Sequence, residues 1–383
     1  MSPVIGIVAG EASGDLLGAH LIQALKPHLP RARFVGVGGP RMRATGMEAL
    51  FPMEKLAVRG YVEVLRHFRE ILSIRRRLAA HFLRYPPACF IGIDAPDFNL
   101  NLERRLKAAG IPTVQYVSPQ IWAWRSERLR NIGRAVDKIL TVFPFEAPLY
   151  EAARIPVAYV GHPLADMLGD FPSRQAAREQ LRLPSSARIV ALLPGSRVTE
   201  LEQMADLFIA TAVEIAAADP EALFLAPLVS IETRSLFEAA LYRHGSPPLN
   251  LTMLFGHAHE AMAAADVVLV SSGTATLEAA LLRRPMVITY RMPRLSWWIM
   301  KRGFRQPYVG LPNILSGEFV VPEFLQDDAT PENLAQAVVN LMSDGAVRSR
   351  IDARFRYLLA QLKQDTAQQI AKALLPMLNG LAP

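Results

Sequence analysis

The chain has 383 residues, 51% of them hydrophobic, with 42 basic side chains against 35 acidic ones and a formal charge of +7. That length suits two hydrophobic cores better than one, and the apolar content excludes a disordered chain. A single cysteine, Cys89, excludes an internal disulfide, and neither a cleavable leader nor a run of about 18 apolar residues is present, so the expectation is a cytoplasmic protein without a spanning helix.

In chain order, VIGIVAG reads as a strand, followed by a helix from about Asp15 to Leu29, the strand RFVGVGG and a helix near Pro40 to Thr45. The first loop, GEASGD at Gly10 to Asp15, fits neither the GxGxxG nor the P-loop fingerprint. Either Ser13 caps the helix while Asp15 complements its dipole, or the loop touches a polar ligand.

The stretch Tyr61 to Leu83 sets Leu65, Phe68, Leu72, Leu78 and Phe82 at roughly helical spacing, with Arg66, Arg69 and Arg75 to Arg77 between them. The default is a core-facing helix with a solvated basic face. The sharper reading is a membrane-surface helix in which Phe68, Leu72, Arg75, Arg76 and Arg77 meet anionic lipid, joined by Trp297 and Trp298 of LSWWIMKRGFR.

Next come the strand ACFIGID, a helix near Leu100 to Ala109, TVQYVS, a helix near Ser126 to Gly133, KILTVFPF and VAYVGH. The loop IGIDAPDFN puts Asp94 at the end of an apolar strand, where a carboxylate can take a proton from an acceptor hydroxyl. Glu11 and His20 are rival bases, and the plainer reading is that Asp94 or Asp97 caps a helix starting near Phe98. Trp122 and Trp124, in YVSPQIWAWR, line a sugar or apolar pocket or act as core lids.

After a Pro- and Gly-containing linker from Gly161 through DMLGDFPSRQ, the alternation resumes. RIVALLPGSR, a helix near Glu200 to Ala217, ALFLAPLV, a helix near Ile231 to His244, LTMLFG, DVVLVSS, PMVITYR and a helical tail from Pro331 form a second α/β unit. In LLPGSR, Gly195 and Ser196 offer backbone N–H groups and Arg197 a fork of donors to a diphosphate. His257 and His259 are the closest His pair, with no obvious carboxylate partner, so no metal site is expected.

The run DVVLV, broken by SSGTATLE, is strand, small-residue loop, helix. A helix entered through Ser271, Ser272, Gly273 and Thr274 turns its amide groups and positive dipole end toward the loop, as a nucleotide diphosphate requires. Glu278 then offers a carboxylate to ribose hydroxyls. The scattered arginines and the lack of a recognisable nucleic-acid module argue against a nucleic-acid partner.

GEASGD, IDAPDFN, SPQIWAWR, LLPGSR, SSGTATLEA and GLPNIL, in that order and spacing, resemble the lipid-A-disaccharide synthase family over essentially the whole chain. The resemblance implies an α/β, GT-B fold: two Rossmann-like doubly wound domains facing across a cleft, with C-terminal helices crossing back or swapped into a partner of a homodimer. It implies an acceptor domain over residues 1–165, a donor domain over 166–345 and a helical tail over 346–383.

By the same resemblance the enzyme inverts configuration, joining UDP-2,3-diacylglucosamine to 2,3-diacylglucosamine 1-phosphate on the cytoplasmic face of a Gram-negative inner membrane. UDP-sugar is a substrate and no cofactor or metal is implied. Donor contacts fall on Arg197, the Ser271 to Thr274 loop and Glu278, with Tyr290 and Asn313 as neighbours. Asp94 is the favoured base and Glu11 the other catalytic candidate, with Ser13, Asp15, Trp122 and Trp124 expected on the acceptor side. The competing readings are another GT-B enzyme of UDP-N-acetylglucosamine, whether peptidoglycan glycosyltransferase or epimerase, and a noncatalytic lipid-binding protein.

Overall fold

A computed structural model describes residues 3–56, 61–119, 128–293, 297–298 and 307–378, with backbone alone for 61–68 and 128. The chain divides into two compact units, Met1–Asp166 with Gln361–Pro383, and Met167–Ala360.

The first unit runs β1 (Val4–Ala9), α1 (Ala12–Leu25), β2 (Arg33–Val37), α2 (Pro40–Ala44), β3 (Glu48–Phe51), α3 (Tyr61–Arg84), β4 (Cys89–Ile93), α4 (Pro96–Ala108), β5 (Thr113–Tyr116), α5 (Arg128–Ala135), β6 (Lys138–Thr141), α6 (Ala147–Ala152), β7 (Val157–Tyr159) and α7 (Pro163–Leu168), the last running just past the division. Its seven strands are parallel in the order β3-β2-β1-β4-β5-β6-β7. The central strand β4 is buried at all five positions, which is why CFIGI is apolar throughout instead of alternating.

The second unit runs α8 (Arg174–Gln180), β8 (Ile189–Leu193), α9 (Val198–Ala218), β9 (Leu223–Leu228), α10 (Ile231–Arg243), β10 (Asn250–Phe255), α11 (Ala258–Ala264), β11 (Val267–Ser271), α12 (Thr274–Leu281), β12 (Met286–Tyr290), α13 (Leu311–Ser316), β13 (Glu323–Leu325), α14 (Pro331–Ser343) and α15 (Gly345–Leu362). Its sheet is parallel in the order β10-β9-β8-β11-β12-β13. A last helix, α16 (Thr366–Leu378), returns to the first unit and packs on α1. Asp166 receives it, its carboxylate accepting from the Asp365 and Thr366 backbone amides at 3.2 and 2.7 Å.

The α/β alternation matches the expected doubly wound pattern, and the structure adds short edge strands the pattern did not reveal. β3 and β13 are four and three residues long, too short for periodicity to register. Helix starts also moved. α1 begins at Ala12 with Glu11 at its N-cap, so Ser13 is not the cap; α4 begins at Pro96, so Asp97 is not the cap there.

Most of the described part of α3 follows the plainer reading. Ile74, Leu78, Ala79 and Phe82 are buried in the core with Phe90 and Leu102, and the Phe82 and Phe90 rings meet edge-on at 5.5 Å. Leu72 is half-buried, and the Phe68 side chain lies outside the described residues. Arg75 donates to the Asp97 carbonyl at 3.3 Å and Arg77 lies 4.7 Å over the Phe51 ring, while Arg76 is exposed. Among the described residues, no helix is long and apolar enough to cross a membrane.

Candidate active site

Each sheet brings candidate residues to its own crevice where strand order reverses, beyond the carboxyl ends of neighbouring strands, the place where open α/β sheets bind ligands. In the first unit that point lies between β1 and β4, with Ala9 opposite Ile93 in register. The turn holding Gly10 and Glu11, with Ser13 in the first turn of α1, and the loop holding Asp94 therefore start side by side. They touch closely: a Cβ on Gly10 would lie 3.0 Å from that of Ala95.

Asp94 leaves β4 in a left-handed conformation, φ 51°, and Ala95 follows at φ 41°. Two successive non-glycine residues in that region are strained and hold only where surroundings fix them. The surroundings here are explicit. The Asp94 amide donates to the Tyr116 carbonyl at 3.0 Å, and the Asp94 carbonyl accepts from Asn99 Nδ2 at 2.9 Å and Gln115 Nε2 at 3.1 Å. The backbone turn leaves the Asp94 residue half-buried at the strand end.

Asp15 has a different place. It is 3% exposed and its carboxylate accepts from the backbone amides of Gly39, Arg41 and Met42 at 2.8, 2.9 and 3.0 Å, capping α2. Its bonds are those of a structural residue. His20 lies farther along α1; burial lowers its pKa, opposed by Asp166 and Asp365 near the α16 junction. Trp122 and Trp124 lie outside the described residues.

In the second unit the reversal lies between β8 and β11, with Leu193 opposite Val270. LLPGSR and SSGT thus leave adjacent strands. Ser272 is half-buried, Gly273 and Thr274 are exposed, and α12 begins at Thr274 as expected. Ser271 pairs in register with Thr289, and both hydroxyls are buried without a hydrogen-bond partner. Tyr290 ends β12 half-buried.

Glu200 is the residue that sequence reasoning passed over. Its Oε2 accepts from the Ser196 and Arg197 amides at 2.9 and 3.3 Å, and its Oε1 pairs with Arg197 Nη1 at 2.9 Å. Gly195, at φ 141°, admits this carboxylate, since a Cβ there would lie 2.5 Å from Glu200 Cβ. The available signal was an acid three residues into a helix start. Of the two amides expected to meet a diphosphate, those of Gly195 and Ser196, the second is thus held by Glu200.

Glu278 faces His259, Oε2 to Nε2 at 3.2 Å, and His257 lies 3.6 Å from Glu260. Both histidines therefore do have carboxylate neighbours, contrary to the sequence reading. Still, among the described residues no group of three or more His, Cys, Asp or Glu side chains is placed to hold a metal ion. Asn313 is fully buried, with Nδ2 donating to the Val321 carbonyl and Glu323 Oε1 and Oδ1 accepting from the Val320 and Val321 amides. Both ends of its amide are occupied, so it shapes the loop before β13. Trp297 is half-buried and Trp298 is 53% exposed.

A profile of the lipid-A-disaccharide synthetase family matches residues 5–375. Over 377 residues the chain is 56% identical to the lipid-A-disaccharide synthase of Methylobacillus flagellatus, covering 98% of this chain and 100% of that one. It is 54% identical to the Dechloromonas aromatica synthase over 376 residues, 98% of each. Among solved structures it is similar to the UDP-GlcNAc 2-epimerase from Neisseria meningitidis bound to UDP-GlcNAc, with TM-score 0.63 and 12% identity over 100% of this chain and 99% of that one. It is also similar to Anabaena HepE in complex with UDP and glucose, with TM-score 0.58 and 16% identity over 98% and 99%. At these identities the likeness is one of fold.

Proposed function

We infer the chemistry of this chain from the lipid-A-disaccharide synthase family, to which it belongs: it is a glycosyltransferase that condenses UDP-2,3-diacylglucosamine with 2,3-diacylglucosamine 1-phosphate to a β-1,6-linked disaccharide and UDP.

In our reading the second unit holds the donor and the first holds the acceptor. The acceptor 6-hydroxyl oxygen attacks C1 of the donor sugar, its proton passes to Asp94, and the bond from C1 to the UDP oxygen breaks with its electron pair leaving on UDP. A single displacement of this kind inverts the anomeric carbon and needs no covalent intermediate. Arg197 and the amino end of α12 take up the charge on the departing diphosphate. Glu278 accepts from the ribose hydroxyls. Glu11, beside Asp94, orients the acceptor. Asn313 acts on the donor through the loop it braces, and Tyr290 borders the same site.

The observation that carries this division is the position of the Asp94 loop and of the PGSR and SSGT loops, each at its own sheet's reversal point. The acyl chains of both substrates call for a peripheral stay at the inner membrane. Exposed Arg76 and Trp298 support that reading. The test is UDP release from the diacylated donor with and without acceptor: release that requires acceptor, and that falls by about 1,000-fold in Asp94→Asn, is expected. Release indifferent to acceptor overturns the transferase assignment, and full turnover by Asp94→Asn overturns the base.

A further inference from the structure

Beneath Asp94 lie three polar side chains that the reaction does not use. Asn99, Glu103 and Gln115 are each 0% exposed. Asn99 Nδ2 reaches the carbonyls of Val8, Ile93 and Asp94, and Gln115 Nε2 reaches those of Asp94, Tyr116 and Val117 at 3.1 to 3.3 Å. Val117, a β-branched residue, is also left-handed, at φ 75°. One amide thus spans the ends of β4 and β5, touching both strained positions.

The acceptor atoms of the same side chains are unmatched. Asn99 Oδ1, Gln115 Oε1 and both Glu103 oxygens are buried without a hydrogen-bond partner, and no ion pair reaches Glu103 among the described residues. Glu103 and Gln115 share one niche, made by the missing side chain of Gly92. A Cβ there would lie 2.2 Å from Glu103 Oε1 and 2.9 Å from Gln115 Oε1. Two acceptor oxygens against one point are satisfied if one of them carries a proton, and of the two only a carboxyl can.

We propose that Glu103 is a carboxylic acid that donates to Gln115 Oε1, and that Glu103, Gln115 and Asn99 together are positioning residues holding Asp94 in its left-handed, reactive conformation. The orientation of the Gln115 amide follows. A carboxylate at 103 would accept from Nε2 and draw it off the strand ends, whereas an acid engages Oε1 and leaves Nε2 to the Asp94 and Val117 carbonyls. Burial pushes the Glu103 carboxyl well above its ordinary range.

The proposal rests on Asp94 being the base, and the test separates the two. Infrared difference spectra of the full chain, parent minus Glu103→Gln, should show a carboxylic-acid carbonyl band above neutral pH. A carboxylate band instead overturns the proposal whatever Asp94 does. Gln115→Leu should lower kcat by about 10- to 100-fold, with KM for both substrates within about twofold and folding intact by thermal melting. Glu103→Leu should do the same, and Glu103→Gln, whose amide still donates to Oε1, should recover kcat to within about threefold of the parent. If Glu103→Leu fails to fold, Gln115→Leu and Glu103→Gln carry the kinetic arm. Parent-level kcat in folded Gln115→Leu overturns the positioning role. Full activity in Asp94→Asn, with the acid band present, would instead sink only the base assignment.

Discussion

Glu200 grips Arg197 twice, pairing with its guanidinium at 2.9 Å through one carboxylate oxygen and accepting from its backbone amide at 3.3 Å through the other. The arginine proposed to meet the donor is thus held by its own helix start. Removing the carboxylate in Glu200→Ala should cost about 1 kcal/mol of stability, as lost caps do. It should also raise donor KM about tenfold with kcat nearly unchanged, because an unaimed guanidinium must be ordered on binding. Urea unfolding and initial-rate kinetics check the two effects; an unaltered KM would reduce Glu200 to a cap alone.

Glu278 sits 3.2 Å from His259 and one turn into the helix that follows SSGT. If it takes ribose hydroxyls, Glu278→Ala should weaken UDP by about 10- to 100-fold, the range for a hydrogen bond to a charged group. Calorimetry with UDP measures this. Equal affinity in parent and variant would move the ribose contact elsewhere.

Asp15 should behave as structure. Its three backbone amides lose their acceptor in Asp15→Ala, at a cost of about 3 kcal/mol. Acceptor KM in the protein that remains folded should stay near the parent value. A large KM change without loss of stability would return Asp15 to the acceptor site.

His162 sets an acid limit on stability. It is buried, its Nδ1 accepts from the Leu164 amide at 3.2 Å, and burial pushes its pKa down to about 4 from the ordinary 6.5. Between those values the unfolded chain takes a proton that the native histidine refuses, so stability falls as pH drops from 6.5 toward 4. The loss is about 3 kcal/mol when complete. His162→Gln keeps an acceptor for Leu164 and removes the titration. Its urea midpoint should therefore vary less over this range, and an unchanged pH profile would place the acid sensitivity in another group.

Arg75 bonds the Asp97 carbonyl and Arg77, though exposed, covers the Phe51 ring, whereas Arg76 is exposed and makes neither contact. Arg76→Glu should weaken co-sedimentation with anionic vesicles by several-fold, about the effect of reversing one surface charge, at unchanged melting temperature. Undiminished vesicle binding would count against this helix as the membrane contact.

The sheets were legible because buried parallel strands are written as apolar runs, as in VVLVS and CFIGI. The SSGT helix start was legible because its residues are local. What escaped was set by distant partners. Nothing around Asp15 announces that its carboxylate caps α2 across 24 to 27 residues of sequence. The left-handed turn at Asp94 depends on an amide from β5, and a carboxylate at Glu278 reveals no histidine 19 residues earlier. Nor does anything beside Glu103 in sequence announce the niche that Gly92, on another element, leaves for it.

The tail that α16 forms has a consequence for how the chain folds. The second unit is one uninterrupted segment, Met167–Ala360, while the first is complete only when Gln361–Pro383 has joined Met1–Asp166. The α1 face that α16 covers therefore finds its partner only across the whole of Met167–Ala360, and Asp166 meets Thr366 at a separation of 200 residues. The second unit, a single segment, needs no such closure, so the entropic cost of bringing distant chain together falls on the first.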